Sequence, residues 1–230
     1  MTQFITITSG KGGAGKTTVA INLGTALAQY GRDVLVVDGN LHNPNIASSL
    51  GNPLIPSNLY HVSIGQKNIR EVAYKHPSGL KIIPGSIVDE IEREDFKRIE
   101  HSFLDLMGAA ELVIIDTSTQ AHDEILNAAS KTIMVTTPDM TSVTDALRAV
   151  TRLQRKGIKI VGVIINKVKG KNELGLNEIG AMLGKPIIGE IPYDEKVEEA
   201  NFLKHPVLHL YPESQAARSY RKIASALIGR

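Results

Sequence analysis

Four glycines, two lysines and two adjacent threonines fall within nine residues near the start of the chain. The run Gly10-Lys11-Gly12-Gly13-Ala14-Gly15-Lys16-Thr17 meets the spacing G-x-x-x-x-G-K-[ST] without a gap, and Thr18 follows it. Each residue type has a chemical reason. Glycines free the backbone to wrap and to aim successive N–H groups inward, which builds a cradle for a polyphosphate. A helix starting where the loop ends adds the partial positive charge of its N-terminus. Lys16 then lies against the β- and γ-phosphates, and the Thr17 hydroxyl is placed to hold Mg²⁺. The expected ligand is a purine nucleoside triphosphate with Mg²⁺, gripped by a P-loop over residues 10–18. A glycine-rich turn that binds nothing is the alternative.

Further candidates end apolar runs. Asp38 follows VLVV (34–37) and Asp116 follows LVII (112–115). A carboxylate at the carboxyl end of an apolar strand adds little to packing but suits the neighbourhood of Mg²⁺. Capping of the following helix is the other reading for both. Asn166 ends a third run. Its amide both donates and accepts, which suits an adenine edge, and a turn-forming asparagine is the alternative.

The elements that must position these residues alternate in type. Short β-rich runs occupy 4–8, 34–37, 80–83, 112–115, 132–136, 160–165 and 187–191, and helical patterns occupy 17–30, 89–107, 142–156, 172–183 and 213–228. Strands apolar at every position are covered on both faces. The expectation is an α/β chain of one domain over 1–230. It has a doubly wound, mainly parallel sheet of seven to eight strands, helices on both faces, and the P-loop NTPase fold. Residues 43–84, punctuated by proline and glycine, read as loops and short helices. In the last helix Tyr220, Ile223, Ala224, Leu227 and Ile228 share one face and read as core.

With its second lysine the run KGGAGKTT resembles the deviant Walker A motif of the MinD/ParA family of dimeric ATPases, with Lys11 at the signature-lysine position. The resemblance covers nearly the whole chain. LVIIDTS (112–118) resembles the Walker B strand, IINKV (164–168) and GEIPYDEKVEEA (189–200) resemble the adenine-proximal elements, and the segment from His205 resembles the C-terminal helix. Within the family it is similar to archaeal-type MinD-like proteins. The resemblance implies ATP and Mg²⁺ as ligands, with Asp116 reaching the metal through water and Asp38 as the first aspartate of switch I. Asn166, Pro192 and Asp194 would then border the base. It also implies an ATP-dependent homodimer in which Lys11 of each protomer reaches the phosphates held by the other. An added ammonium there offsets repulsion between two triphosphates.

Two departures from that pattern bear on turnover. Switch I of the family reads D-x-D, whereas this chain has Asp38-Gly39-Asn40. An amide takes no proton at neutral pH and orients water less well, so hydrolysis is expected to be slow. Losing a group that positions a reactant commonly costs about 10²–10⁴ in rate. Switch II, approximately D-x-P-x-G in the family, is Asp116-Thr117-Ser118-Thr119-Gln120 here, so a glycine-dependent backbone contact to the γ-phosphate is not expected.

Composition bounds the rest. Hydrophobic residues make up 42% of the chain and charged residues 22%, enough for a sizeable core, and the net charge of +2 does not by itself imply a nucleic acid or anionic membrane. The absence of cysteine excludes disulfides, thiolate metal sites and cysteine nucleophiles, and weakens a metal- or cluster-carrier role. With no secretory signal and no apolar window near 18 residues, a cytoplasmic protein is expected, at most peripheral at the membrane. Arg152, Arg155, Lys156, Lys159, Lys167, Lys169 and Lys171 form a basic stretch spread over several elements, read as solvated surface rather than as a lipid or DNA site. No membrane-binding amphipathic helix is read after Ile228. The histidines are scattered. His205 and His209 share i, i+4 spacing but are read as surface residues flanking a loop or strand. An unidentified protein partner and a role in placing division, pilus or motility machinery complete the expectation. A non-catalytic ATP-dependent scaffold of the same fold is the alternative.

Overall fold

The computed structural model describes residues 2–119, 122–170 and 173–229. In chain order the elements are β1 (Gln3–Ser9), α1 (Lys16–Gln29), β2 (Val34–Asp38), α2 (Ile46–Ser49), α3 (Leu59–Ser63), β3 (Tyr74–Lys75) and β4 (Lys81–Ile83). There follow α4 (Phe96–Ser102), β5 (Leu112–Asp116), α5 (Asp123–Asn127), β6 (Lys131–Thr136), α6 (Met140–Arg155) and β7 (Ile160–Val168). The last are α7 (Leu176–Leu183), β8 (Ile187–Pro192), α8 (Glu195–Phe202), α9 (Val207–Leu210) and α10 (Gln215–Leu227).

The strands form one sheet in the order β3-β4-β2-β5-β1-β6-β7-β8. Every pairing is parallel except β3 with β4, which is antiparallel. From the central β1 the chain first builds leftward to β2, β4 and β5, then crosses to β6 on the other side. The loop after β1 therefore opens at the point where the direction of winding reverses, which is where such sheets leave a crevice for a ligand.

Alternation along the strands explains why both faces are dry. Ile5, Ile7, Val36 and Ile114 point to the face covered by α1 and α10, where Leu23, Leu27, Tyr220 and Ile223 meet them. Phe4, Leu35, Val37, Val113 and Ile115 point to the other face, against Phe96, Ile99 and Phe103. The Phe4 and Phe103 rings meet edge to face at 6.4 Å. Met134, Val163 and Ile165 continue that face under Val143, Val150 and Ile179 of α6 and α7.

All seven expected strands are present, six of them lengthened by one to three residues and the one expected over 80–83 starting a residue later at Lys81, and the two-residue β3 joins them. The helix expected over 89–107 is a correction: α4 covers only Phe96–Ser102, with single 3₁₀ turns at Arg93–Asp95 and Phe103–Leu106. Ser86 explains its late start. Its hydroxyl accepts from Val88 and Asp89 N–H and donates to the Asp89 carboxylate, so the acidic run begins as a turn. The helix expected from Asn172 begins at Leu176, and Asn172 lies outside the described residues. The segment between His205 and His209 is helical, α9, rather than loop or strand. His209 is exposed, but His205 is half-buried, its ring 5.3 Å from that of the buried His76, so the reading of both as surface residues is corrected for His205.

Candidate functional site

The loop 10–15 leaves β1, which is buried from Phe4 to Ser9, and feeds directly into α1. Gly10 lies hard against α6: a Cβ there would stand 2.2 Å from the Asp145 backbone. Gly13 and Gly15 take left-handed backbones (φ 79° and 92°), which glycine adopts without steric cost. Side-chain atoms added at Gly12 or Gly13 would meet nothing within 4 Å, so the mouth of the loop is open to a ligand. Ser9, unforeseen in the sequence, braces it. Its hydroxyl donates to the Lys11 carbonyl (2.7 Å) and accepts from Lys16 Nζ (3.0 Å). Burial pushes the Lys16 ammonium below its ordinary pKa, with the nearby Asp116 opposing.

The outer wall of the loop comes from β7. Asn166 Nδ2 donates to the Ala14 carbonyl (2.8 Å), and Lys167 Nζ donates to the Gly13 carbonyl (3.0 Å). Nothing in the motif spacing announced Lys167. Lys11 is exposed and lies with Pro138, Asp139 and Lys167 around a surface recess beside the loop.

The two acids end adjacent strands in register, Asp38 beside Asp116. Thr17 Oγ1 donates to Asp116 Oδ2 at 2.5 Å, while the buried Asp116 Oδ1 has no hydrogen-bond partner among the described residues. Burial raises the Asp116 pKa to about 6, against the Thr17 hydrogen bond and the Lys16 charge. Burial, and then the charge of Asp116, raise Asp38 further, to about 8. Two desolvated carboxyls that resist ionisation, a hydroxyl and an orphaned oxygen at the base of an open cradle suit a hard dication with oxygen ligands, so this donor set fits Mg²⁺.

Asp38 is also engaged. Its oxygens accept from the N–H groups of Asn40 (3.3 Å), Asn45 (2.8 Å) and Ile46 (2.9 Å), which satisfies the first turn of α2. Asn40 sends its amide to the Asn43 carbonyl. In the segment after β5, Thr117 is buried and its hydroxyl donates to the Ile7 carbonyl (2.9 Å), so it serves the sheet. The Thr119 carbonyl accepts from Arg152 (3.0 Å), and Gln120 lies outside the described residues.

A recess of about 130 Å³ opens on the far side of Gly15 and is lined by Thr18, Asn166, Pro192 and Asp194 with Tyr193 and Tyr220. It brings together the residues expected around the base. Asp194 holds two helix starts, accepting from Lys196 N–H of α8 and Ala216 N–H of α10, both at 3.0 Å. Val197, Glu198 and Asn201 complete the wall. Their spacing after Asp194 places them on one face of α8, a periodicity present in the sequence but not used for the site. Of the basic stretch, Lys167 and Lys169 stand at this site, Lys169 with its ammonium 4.6 Å over the Tyr193 ring. Arg152, Arg155 and Lys156 line a separate groove on α6, and Lys171 lies outside the described residues.

Residues 5–207 match the model of the CobQ/CobB/MinD/ParA nucleotide binding domain. An uncharacterized ATP-binding protein of Methanocaldococcus jannaschii is 34% identical, with 100% of this chain and 89% of that protein covered. Among solved structures, the septum site-determining protein MinD of Pyrococcus horikoshii complexed with Mg-ADP superposes with a TM-score of 0.88 at 27% identity, over 99% of this chain and 96% of that one. The MinC:MinD cell division protein complex of Aquifex aeolicus gives a TM-score of 0.88 at 26% identity, with the same shares covered. With its P-loop, its eight-stranded sheet and this agreement along nearly its whole length, the chain belongs to the MinD/ParA family of P-loop nucleotide-binding proteins.

Proposed function

We propose that this protein is a MinD-like switch that binds ATP with Mg²⁺, closes as a symmetric dimer and hydrolyses ATP slowly. The observation that carries this reading is the grouping of three features around one loop. The open cradle of residues 10–15, the orphaned oxygen of Asp116 and the recess beside Gly15 lie where phosphates, metal and base of one nucleotide would fall. Lys16 and the loop N–H groups hold the phosphate tail, Thr17 and Asp116 hold the metal, and Thr18, Asn166, Pro192 and Asp194 border the base. Asn166 spends its N–H on Ala14, which leaves its carbonyl oxygen to accept from the exocyclic amine of adenine. Mg²⁺, when bound, supplies positive charge at the β- and γ-phosphate oxygens.

Asp38 supplies the switch. Its Oδ2 holds the N–H groups of Asn45 and Ile46 while its Oδ1 takes the longer bond from Asn40 (3.3 Å), so a metal that drew on Oδ2 would loosen residues 40–46. Lys11, exposed beside the cradle, is free to reach a second protomer. The closed dimer presents a surface to a protein partner in the cytoplasm or at the membrane face. The family setting favours a role in placing division, pilus or motility machinery. One observation favours a second reading, an ATP-dependent scaffold with negligible turnover: Asn40 stands where a water-polarising acid would be needed.

Light scattering with ATP·Mg²⁺ tests the switch. A doubling of mass in wild type that is absent in ADP and in Lys11→Ala supports it. Dimerisation unaffected by Lys11→Ala, or absent with ATP, contradicts it. Phosphate release measured on the same samples separates switch from scaffold.

A further inference from the structure

Lys167 holds an unusual backbone. It is the extra residue of a bulge in β7: Asn166 pairs with Ile191 and Val168 with Pro192, so Lys167 has no partner of its own. Its φ is 61°, the left-handed region in which a β-carbon crowds the backbone and glycine is favoured. What the lysine adds, and a glycine could not, is a side chain that turns back to the nucleotide cradle and donates from Nζ to the Gly13 carbonyl at 3.0 Å. Its neighbour Asn166 does the same for the Ala14 carbonyl at 2.8 Å.

The consequence follows from the planarity of the peptide. In a trans peptide the C=O of one residue and the N–H of the next point in opposite directions, and no cis bond is present among the described residues. Holding the Gly13 carbonyl outward therefore turns the Ala14 N–H inward, and holding the Ala14 carbonyl outward turns the Gly15 N–H inward. These are two successive donors of the expected phosphate nest. Gly13 and Gly15 are free to rotate, so the loop does not keep that orientation by itself.

We infer that Lys167 is a positioning residue for nucleotide binding: its ammonium latches the Gly13 carbonyl to β7 and pre-aims the Ala14 N–H at the phosphate tail. The bulge lets one strand serve both ends of the nucleotide, Asn166 towards the base and Lys167 towards the phosphates. This inference rests on the nucleotide-binding reading above, and the test separates the two.

The variants are Lys167→Ala, Lys167→Gly and Lys167→Arg, each in the full chain. Two quantities are measured: ¹⁵N order parameters of Ala14 and Gly15 in the nucleotide-free protein, and the affinity for ADP·Mg²⁺ by calorimetry. Lys167→Gly is the control for the backbone, because it relieves the left-handed strain while removing the amine. Its melting temperature should equal or exceed that of Lys167→Ala. With the latch acting as inferred, the Ala14 order parameter falls from about 0.85 to below about 0.6 in both Ala and Gly variants. ADP binds roughly tenfold more weakly to both, and Lys167→Arg restores both quantities. Loss of affinity with a rigid loop, or a mobile loop with affinity within about twofold of wild type, overturns the inference. So does a wild-type-like Lys167→Gly, which would leave only the backbone turn, or a Lys167→Arg that behaves like Lys167→Ala. Wild type that fails to bind ADP would instead sink the nucleotide reading, and the order parameters would still decide whether the latch exists.

Discussion

Asp38 and Asp116 stand side by side at the ends of β2 and β5, both buried, and they divide their work. Asp38 is satisfied by three backbone N–H groups, whereas Asp116 keeps one buried oxygen without a partner. A buried acceptor left unpaired costs stability, and a site that keeps one is poised for a ligand able to satisfy it.

Asp116→Asn separates that role from packing. Because burial already disfavours the Asp116 charge, the amide should fold with equal or greater resistance to urea at pH 8 in the absence of nucleotide. The strengthening of ATP binding by Mg²⁺ should fall about 10- to 100-fold. Calorimetry with and without Mg²⁺ reads this directly, and an undiminished Mg²⁺ effect would remove Asp116 from the metal site.

Glycines of one motif should respond differently. Gly10→Ala drives a methyl into the Asp145 backbone, which cannot move cheaply, and should cost about 1–3 kcal/mol in urea denaturation. Gly12→Ala meets open space and has no left-handed φ, so it should stay within about 0.5 kcal/mol of wild type. Equal losses at the two positions would show that the loop is not pressed against α6 in solution.

Turnover should depend on residue 40. Asn40→Asp, which restores a second acid to switch I, should raise steady-state phosphate release by at least about tenfold, short of the 10²–10⁴ that a well-placed base contributes. Asn40→Ala should leave the slow wild-type rate unchanged. A rate already fast in wild type and indifferent to both changes would remove residue 40 from hydrolysis.

His76 makes the fold sensitive to acid. Its Nδ1 accepts from the Ser78 N–H (3.1 Å), so Nε2 carries the proton that it donates to Leu50 O (3.1 Å), with the His205 and His209 rings beside it. Burial, together with the two neighbouring histidines, holds its pKa below the ordinary 6.5. The unfolded chain then takes up a proton before the folded one does. The contribution of His76 is fully present above pH 6.5 and is lost as pH falls towards the folded value. Urea midpoints should fall more steeply below pH 6.5 in wild type than in His76→Gln. Asp38 and Asp116, raised on folding, act in the opposite sense, with stability lost as pH rises, but do so in both proteins, so the difference isolates His76.

The strand order needed the fold, but the strands did not: runs such as VLVV and LVII declare themselves because a strand covered on both faces must be apolar throughout. The cradle was legible because a polyphosphate leaves few ways to space glycine, lysine and threonine. Helices were less so. The acidic run after Ser86 has helical composition, yet the serine hydroxyl captures its first N–H groups and delays the helix to Phe96. The roles of Ser9 and Lys167 were not legible because each rests on a bond to a loop carbonyl, set by a bulge and a chain reversal that no local pattern encodes.

The most direct test of the whole account is a calorimetric titration of the purified protein with ATP in the presence of Mg²⁺, beside Lys16→Ala. The account predicts one site per chain, with binding lost or weakened at least tenfold (about 1.4 kcal/mol) in the variant. No heat from wild type at millimolar ATP, or equal binding by Lys16→Ala, would contradict it.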